Sequence, residues 1–158
     1  MCLAGWIKYK SSCYKFIKRP KYQLAAAVKY CNGFNSYVAH INNKFEDKFL
    51  KQYVAKHFKN TLRWRIGAKN INGTFYWFDD NENPQEMEYT NWSDGIPTKY
   101  STLVLQKHNK TSNVVHWNGA WSGSFKDYPK NAYAFICERP AKRKLENIRF
   151  LLYYFRNM

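Results

Sequence analysis

The sequence predicts one α+β domain with a mainly antiparallel sheet. Its 158 residues fit the usual size of a single domain. An aromatic strand pair and two segments with helical periodicity come first, and short β-type runs separated by turn residues follow. Elements segregated in this order are typical of α+β proteins, in which helices pack against an antiparallel sheet.

The first half of the chain holds the strand pair and both helices. Residues 5–17 alternate aromatic and polar side chains, as expected for a hairpin. Residues 22–31 and 43–58 each place apolar side chains on one helical face. Asn43 and Glu46 form a capping pair at the start of the second helix.

The second half alternates short strands with turns. The predicted strands are residues 63–69, 74–78, 103–107, 114–117 and 132–138. Residues 79–101 are rich in Asp, Asn, Glu, Pro and Gly and predict a long loop. A loop of this length in a compact domain is usually functional or flexible.

Charge is unevenly distributed along the chain. The formal net charge is +15, and residues 1–78 hold 15 basic and two acidic side chains. A strongly basic surface attracts polyanions such as sulfated glycans or anionic phospholipids, although it also serves simply for solubility. The candidate polyanion-binding residues are Lys8, Lys10, Lys15, Lys18, Arg19 and Lys21, with the lysines of the second helix beside them.

The four cysteines indicate an oxidising compartment. Cys2, Cys13, Cys31 and Cys137 allow three pairings, and their spacing suits one local and one end-closing disulfide. Three sequons, at Asn72, Asn91 and Asn109, are candidate glycosylation sites. We therefore expect a secreted or extracellular glycoprotein. The sequence shows neither a signal peptide nor an apolar run long enough to span a membrane.

A series of short motifs runs in order along residues 2–140. They are Gly5-Trp6, Cys13-Tyr14, Ile66-Gly67-Ala68, Gly73 to Asp80 (GTFYWFDD), Tyr89 to Trp92 (YTNW) and Phe135 to Glu138 (FICE). Together they resemble the long form of the C-type lectin-like domain family. The resemblance implies two helices flanking antiparallel sheets with a long loop region. It also implies the bridges Cys2–Cys13 and Cys31–Cys137.

The chain departs from the family pattern in three places. Arg65 stands where the family's Trp usually lies. The family's second core bridge has no cysteines here, and Thr102 or Leu103 and the region of residues 128–129 occupy those places. Calcium-binding members carry Glu-Pro-Asn and Trp-Asn-Asp, whereas residues 96–98 and 121–123 here read Ile-Pro-Thr and Trp-Ser-Gly.

Loss of these carboxylates argues against calcium-dependent sugar binding, because calcium requires six to eight oxygen ligands. The family's proline at the place of Pro97 is often cis, so the resemblance implies a cis peptide bond before Pro97. Acidic side chains in the long loop leave open a divergent cation site, but a solvated surface is the more common explanation of such a run, and we expect neither metal nor cofactor. These side chains are Asp79, Asp80, Glu82, Glu86, Glu88 and Asp94.

The sequence therefore favours a calcium-independent recognition module that binds a protein or glycan at a cell surface. The candidate contacts are Asp94, Ile96, Pro97, Thr98, Lys99, Trp117 and Trp121. Trp117 and Trp121 are expected to be exposed, and the other tryptophans of the second half are expected in the core. The alternatives are an electrostatic binder of polyanions and a calcium-dependent lectin with a divergent site.

Two further expectations complete the sequence analysis. The four histidines form no nucleophile or metal pattern, so we expect no enzyme, and we expect no specific binding of nucleic acid. Residues 141–158 form a basic and hydrophobic extension beyond the domain. This segment reads as a docking extension, a membrane-surface segment or translated non-coding sequence.

Overall fold

A computed structural model describes residues 1–79, 81, 83–121, 131–141 and 156. The described elements are two helices and nine strands, which confirms the predicted α+β class. The strands are β1 (Ile7–Tyr9), β2 (Ser12–Tyr22), β3 (Tyr37–Val38), β4 (Arg63–Ile71), β5 (Thr74–Phe78), β6 (Pro84–Glu86), β7 (Thr102–Lys107), β8 (Val115–Ala120) and β9 (Tyr133–Pro140). The helices are α1 (Leu24–Asn32) and α2 (Lys44–His57).

The strands join into one sheet. Its main path runs β1-β2-β9-β4-β5-β6, while β3 pairs with β9, and β7 joins β4 to β8. Strands β4 and β9 are parallel, and the other described pairs are antiparallel. Sequence patterns missed β3 and β6 because runs of two and three residues are too short to show alternation.

Helix α2 begins at the predicted cap. The Asn43 side chain accepts hydrogen bonds from the backbone N–H groups of Phe45 and Glu46. The Glu46 carboxylate reaches back to the N–H of Asn42 instead of that of Asn43. The helix then buries Leu50 and Val54 against the sheet.

The core has two parts. The larger lies between α2 and the strands β4, β5, β7 and β8, and it contains the buried Trp64, Trp77 and Trp117. The smaller lies between α1 and the strands β2 and β9, where Leu24, Ala27 and Cys31 face the sheet. The long loop of residues 79–101 extends from the larger part.

Two disulfides have the implied pairing. Cys2–Cys13 ties the N-terminal segment to β2, and Cys31–Cys137 ties α1 to β9 across 106 residues of sequence. A bridge that closes a loop of this length stabilises by about 5 kcal/mol in the chain-entropy model. The two bridges therefore secure the end of the sheet at which the described domain begins and ends.

Candidate functional site

The long loop is held against the body by the carboxylate of Asp47. Its Oδ2 accepts hydrogen bonds from the Tyr89 hydroxyl at 2.8 Å and the Asn91 Nδ2 at 2.7 Å. Its Oδ1 accepts the indole N–H of Trp117 at 2.8 Å. Lys51, one helical turn later, pairs with Oδ2 at 3.1 Å.

This arrangement explains why Asp47 is buried although it is charged. Four donors surround the carboxylate, and buried charges are tolerated when they are paired and hydrogen-bonded. Burial, with the adjacent Asp47, raises the pKa of Tyr89 to about 12, so its hydroxyl stays protonated and donates. The sequence indicated only that Asp47 is an acidic residue near a helix N-terminus, because its loop partners lie more than 40 residues away.

Trp117 is in the core, so the expectation that it is exposed is wrong. Only 1% of its surface is accessible. Its ring meets Trp77, Tyr89 and Trp92 edge to face, with centroids 5.5–5.9 Å apart. Its alternating position in β8 directs it inward toward α2, while the residues beside it face away.

Trp121 is exposed, as predicted, with 51% of its surface accessible at the end of β8. Its ring lies 5.1 Å from that of Tyr100, which sequence analysis missed. Tyr100 packs closely against Gly119, where an added Cβ would come within 2.7 Å of the Tyr100 Cβ. We call Tyr100 and Trp121 the aromatic platform.

Asn70 fixes the loop segment that precedes the platform. Its Nδ2 donates to the carbonyl oxygens of Thr98 at 2.8 Å and Tyr100 at 3.0 Å. Ile96 stands out beside this segment with 53% of its surface accessible. Lys99 extends over the Tyr100 ring at 5.2 Å, and Asp94 and Thr98 are exposed. The loop thus brings five of the seven candidate contacts onto one segment, and Trp121 meets it through Tyr100.

A cleft of about 350 Å³ separates this loop from β5. Phe75, Met87 and Trp92 supply its apolar walls, Glu86 and Thr90 supply polar groups, and Ile96 lies at its rim. Of the residues that line this cleft, sequence analysis named Ile96 as a candidate contact and Glu86 as one of the acidic loop residues.

The Ile96–Thr98 segment offers few oxygen atoms to a cation. The Ile96 carbonyl accepts from the Thr98 N–H at 2.8 Å, and the Pro97 carbonyl accepts from the Tyr100 N–H at 3.0 Å. The Thr98 carbonyl is bound by Asn70. The peptide bond before Pro97 is trans, contrary to the expectation, and a cis bond precedes Pro20 instead.

The described acidic residues of the long loop do not form a cluster that could hold a metal ion. Asp79 accepts from the backbone N–H groups of Asn81 and Asn83, and these hydrogen bonds, that of Asn83 foremost, lower the pKa of its carboxyl group. In the described part of the chain, no three His, Cys, Asp or Glu side chains are grouped as metal ligands. Asp80, Glu82, Ser122 and Gly123 lie outside the described residues.

Arg65 replaces the family's Trp with a fully buried guanidinium. It donates to Thr102 Oγ1 at 2.9 Å, the Asn131 carbonyl at 2.8 Å and the Tyr22 carbonyl at 3.3 Å. Burial lowers its pKa to about 10. Thr102 is one of the two residues, with Leu103, expected at one place of the absent second bridge. Through Thr102 and Asn131, Arg65 connects the start of β7 to the segment before β9 by hydrogen bonds. Residues 128–129 lie outside the described residues.

The six predicted polyanion-binding residues do not form one patch. Lys8 and Lys10 lie at the β1–β2 hairpin, where the Lys10 ammonium is 4.3 Å from the Phe45 ring. Lys15 instead lies over Phe34 at 4.0 Å. Lys18, Arg19 and Lys21 are exposed toward the far end of β2, about 10–20 Å from Lys15 at the rise of an extended strand.

Comparison with known proteins identifies the family. The model of the lectin C-type domain matches residues 20–139. Perlucin of Haliotis laevigata is 37% identical over 143 residues, which cover 87% of this chain and 83% of perlucin. The human low affinity immunoglobulin epsilon Fc receptor is 29% identical, and the match covers 89% of this chain but only 39% of the receptor.

Solved structures agree in fold. The carbohydrate-recognition domain of cow CD23, determined in the presence of GlcNAc2Man3 oligosaccharide, aligns with a TM-score of 0.68 and 23% identity over 90% of this chain and 98% of that one. Human lithostathine aligns with a TM-score of 0.71 and 17% identity over 89% and 92%. The two helices, the mixed sheet, the two bridges and the motif series thus agree with the family match, and the chain is a member of the C-type lectin domain family.

Proposed function

We propose that this chain is a calcium-independent recognition module that binds a glycan or protein ligand through its long loop. The observation that carries the proposal is the aromatic platform beside a loop segment without carboxylates at residues 96–98. The module recognises its ligand without catalysing a reaction. We further propose that it acts outside the cell, that residues 2–140 form the folding unit and that it carries N-linked glycans.

The bonding of residues 96–98 supports calcium independence. Calcium prefers six to eight oxygen ligands, most of them carboxylates or carbonyls that are not otherwise engaged. Here the three backbone carbonyls of the segment each accept a hydrogen bond within the loop or from Asn70. Ile96 adds an apolar side chain in a place where an oxygen ligand would be needed.

The platform offers the contacts that a sugar ring or a protein side chain requires. Exposed Trp and Tyr side chains combine large apolar area with a polar group and are enriched at binding hot spots. Asn70 and Gly119 hold Tyr100 in place before any ligand arrives. A preorganised platform loses little side-chain entropy on binding.

A glycan array with and without chelator tests the proposal. We expect binding that persists in chelator and falls at least about tenfold in Trp121→Ala, because the hot-spot tryptophan is removed. Leu3→Ala is the matched control, since Leu3 is similarly exposed at 54% but lies at the N-terminal end. Binding that disappears in chelator, together with heat on calcium titration, would favour the divergent calcium-dependent lectin.

A second candidate function is the binding of polyanions. The net charge is +15, and most of the described lysines and arginines are exposed, so their charges face the solvent. We expect the protein to elute from a heparin column well above physiological salt, and its affinity for heparin to fall steeply as the salt concentration increases. Elution near physiological salt would exclude this candidate.

A further inference from the structure

We propose that Lys21 and Arg63 form a discrete pocket for one sulfate group of a sulfated glycan, away from the long loop. The inference rests on the second proposed function and assigns it a site. The pocket has a volume of about 330 Å³, at the lower end of the range of about 300–1,000 Å³ typical of ligand sites. Its described lining is Lys21, Asn60, Thr61, Leu62, Arg63, Ala132, Tyr133 and Ala134.

The sheet order places Lys21 and Arg63 at the same end of β9, on either side of that strand. Strand β9 lies between β2 and β4, with Tyr22 opposite Tyr133 and Trp64 opposite Ala134. Lys21 and Arg63 each precede these paired residues by one position. Their backbones are therefore two strand spacings apart, about 10 Å. Side chains alternate between the faces of a strand, so Lys21 shares the face of Ala134 and Arg63 that of Tyr133. The two side chains thus border the pocket from opposite faces, at the end of the sheet where β9 begins.

The electrostatics of the pocket favour an anion. None of its described lining residues is acidic. The Arg63 guanidinium lies 5.8 Å from the Tyr133 ring, and the buried Arg65 guanidinium lies 5.0 Å from the same ring. Arg65 forms no ion pair with a carboxylate in the described parts of the chain, so its positive charge adds to the potential behind Tyr133, which lines the pocket.

The chemistry of the lining fits a sulfated sugar. An arginine fork and a lysine ammonium bind the oxygens of a sulfate through charge-assisted hydrogen bonds. The Asn60 amide and the Thr61 hydroxyl offer donors and acceptors for sugar hydroxyls. The exposed Lys18 and Arg19, just before Lys21 on the same strand, extend the positive surface for neighbouring sulfates.

A membrane surface fits this pocket less well. Peripheral membrane binding needs exposed apolar side chains that insert beside the basic residues. The exposed large apolar residues of the described chain lie elsewhere; they are Met1, Leu3, Phe34, Phe45, Ile71, Ile96, Val114 and Trp121. The pocket is concave and its apolar lining is limited to small or half-buried side chains.

The test compares two double variants that remove the same charge. Lys21→Gln/Arg63→Gln removes the pocket cations, and Lys8→Gln/Lys10→Gln removes two exposed cations at the hairpin. Calorimetry with a size-defined heparin fragment gives the affinities, and thermal unfolding confirms that both variants fold. We expect the pocket variant to bind at least about tenfold more weakly and the hairpin variant to change less than about threefold.

Each other outcome has a clear meaning. Equal losses in the two variants would overturn the pocket but leave polyanion binding standing. No heparin binding by the unaltered protein would overturn polyanion binding itself. Equal affinity for a desulfated fragment would exclude sulfate as the recognised group. Binding to phosphatidylserine vesicles that the pocket variant loses, without heparin binding, would assign the site to lipid instead.

Discussion

The indole Nε1 of Trp117 donates to Oδ1 of Asp47 over 2.8 Å, across 70 residues of sequence. This hydrogen bond joins the sheet to the start of α2 inside the larger core. The same carboxylate also binds Tyr89 and Asn91 of the long loop through Oδ2. The position of the loop therefore depends on one buried side chain of the helix.

We expect Asp47→Asn to lower the free energy of unfolding by about 3 kcal/mol, because an amide cannot accept from four donors. Trp117→Phe should cost less, about 1–2 kcal/mol, since the ring contacts remain and one hydrogen bond is lost. Urea unfolding of both single variants and the double variant gives their coupling energy. Additive effects would show that the Asp47–Trp117 contact contributes nothing.

Arg65→Lys should lower the free energy of unfolding by about 2–4 kcal/mol. A lysine cannot reach Thr102, Asn131 and Tyr22 at once, so buried acceptors lose their donor. Arg63→Lys is the control, because Arg63 is exposed and should change stability by less than about 0.5 kcal/mol. Unchanged denaturant midpoints for Arg65→Lys would mean that the hydrogen bonds do not replace the absent bridge.

The titration of Glu138 should lower the free energy of unfolding as the pH rises. Burial, reinforced by the nearby Glu46, raises the pKa of Glu138 from 4.5 to about 8. The folded protein then holds this proton more tightly than the unfolded chain. The resulting stabilisation is complete below about pH 4.5 and is lost as the pH rises through 8.

The Glu138→Gln variant isolates this contribution. Burial lowers the pKa of His40, whose titration acts in the opposite direction but is common to both proteins. The difference in unfolding midpoint between wild type and Glu138→Gln, measured from pH 4 to pH 9, should therefore change with pH. A constant difference would contradict a raised pKa for Glu138.

Glycosylation should differ among the three sequons. Asn72 is exposed in the β4–β5 turn with φ of +53°, and Asn109 is exposed before β8. The Nδ2 atom of Asn91, to which a glycan would be attached, donates to Asp47 at 2.7 Å. Peptide mapping after expression in a glycosylating host should find Asn72 and Asn109 occupied and Asn91 largely unmodified; high occupancy of Asn91 would contradict this.

Local patterns were enough to predict most elements of the fold. The hairpin, both helices, the Asn43 cap and the main strands follow from side-chain periodicity and turn residues. The pairing Cys31–Cys137 came from the resemblance to the family. Short strands such as β3 carry no such pattern, because what defines β3 is its pairing with the distant strand β9.

The site was harder to predict because it depends on distant contacts. Asp47 looked like an ordinary acidic residue near a helix end until the loop residues Tyr89 and Asn91 came next to it. Trp117 and Trp121 have the same sequence character, yet Trp117 lies within β8 over the core, whereas Trp121 follows the end of the strand and is exposed. Sequence analysis did not group Arg63 with Lys21, because the two residues are neighbours only in the folded sheet.

Strands β2 and β9 run side by side with Ser12 opposite Pro140, and the Ala141 N–H donates to the Ser11 carbonyl at 2.7 Å. The first and last described segments of the domain therefore lie side by side at one end of the sheet. A tether or label attached just before the first hairpin or just after Ala141 would therefore hold the described domain by this edge of the sheet.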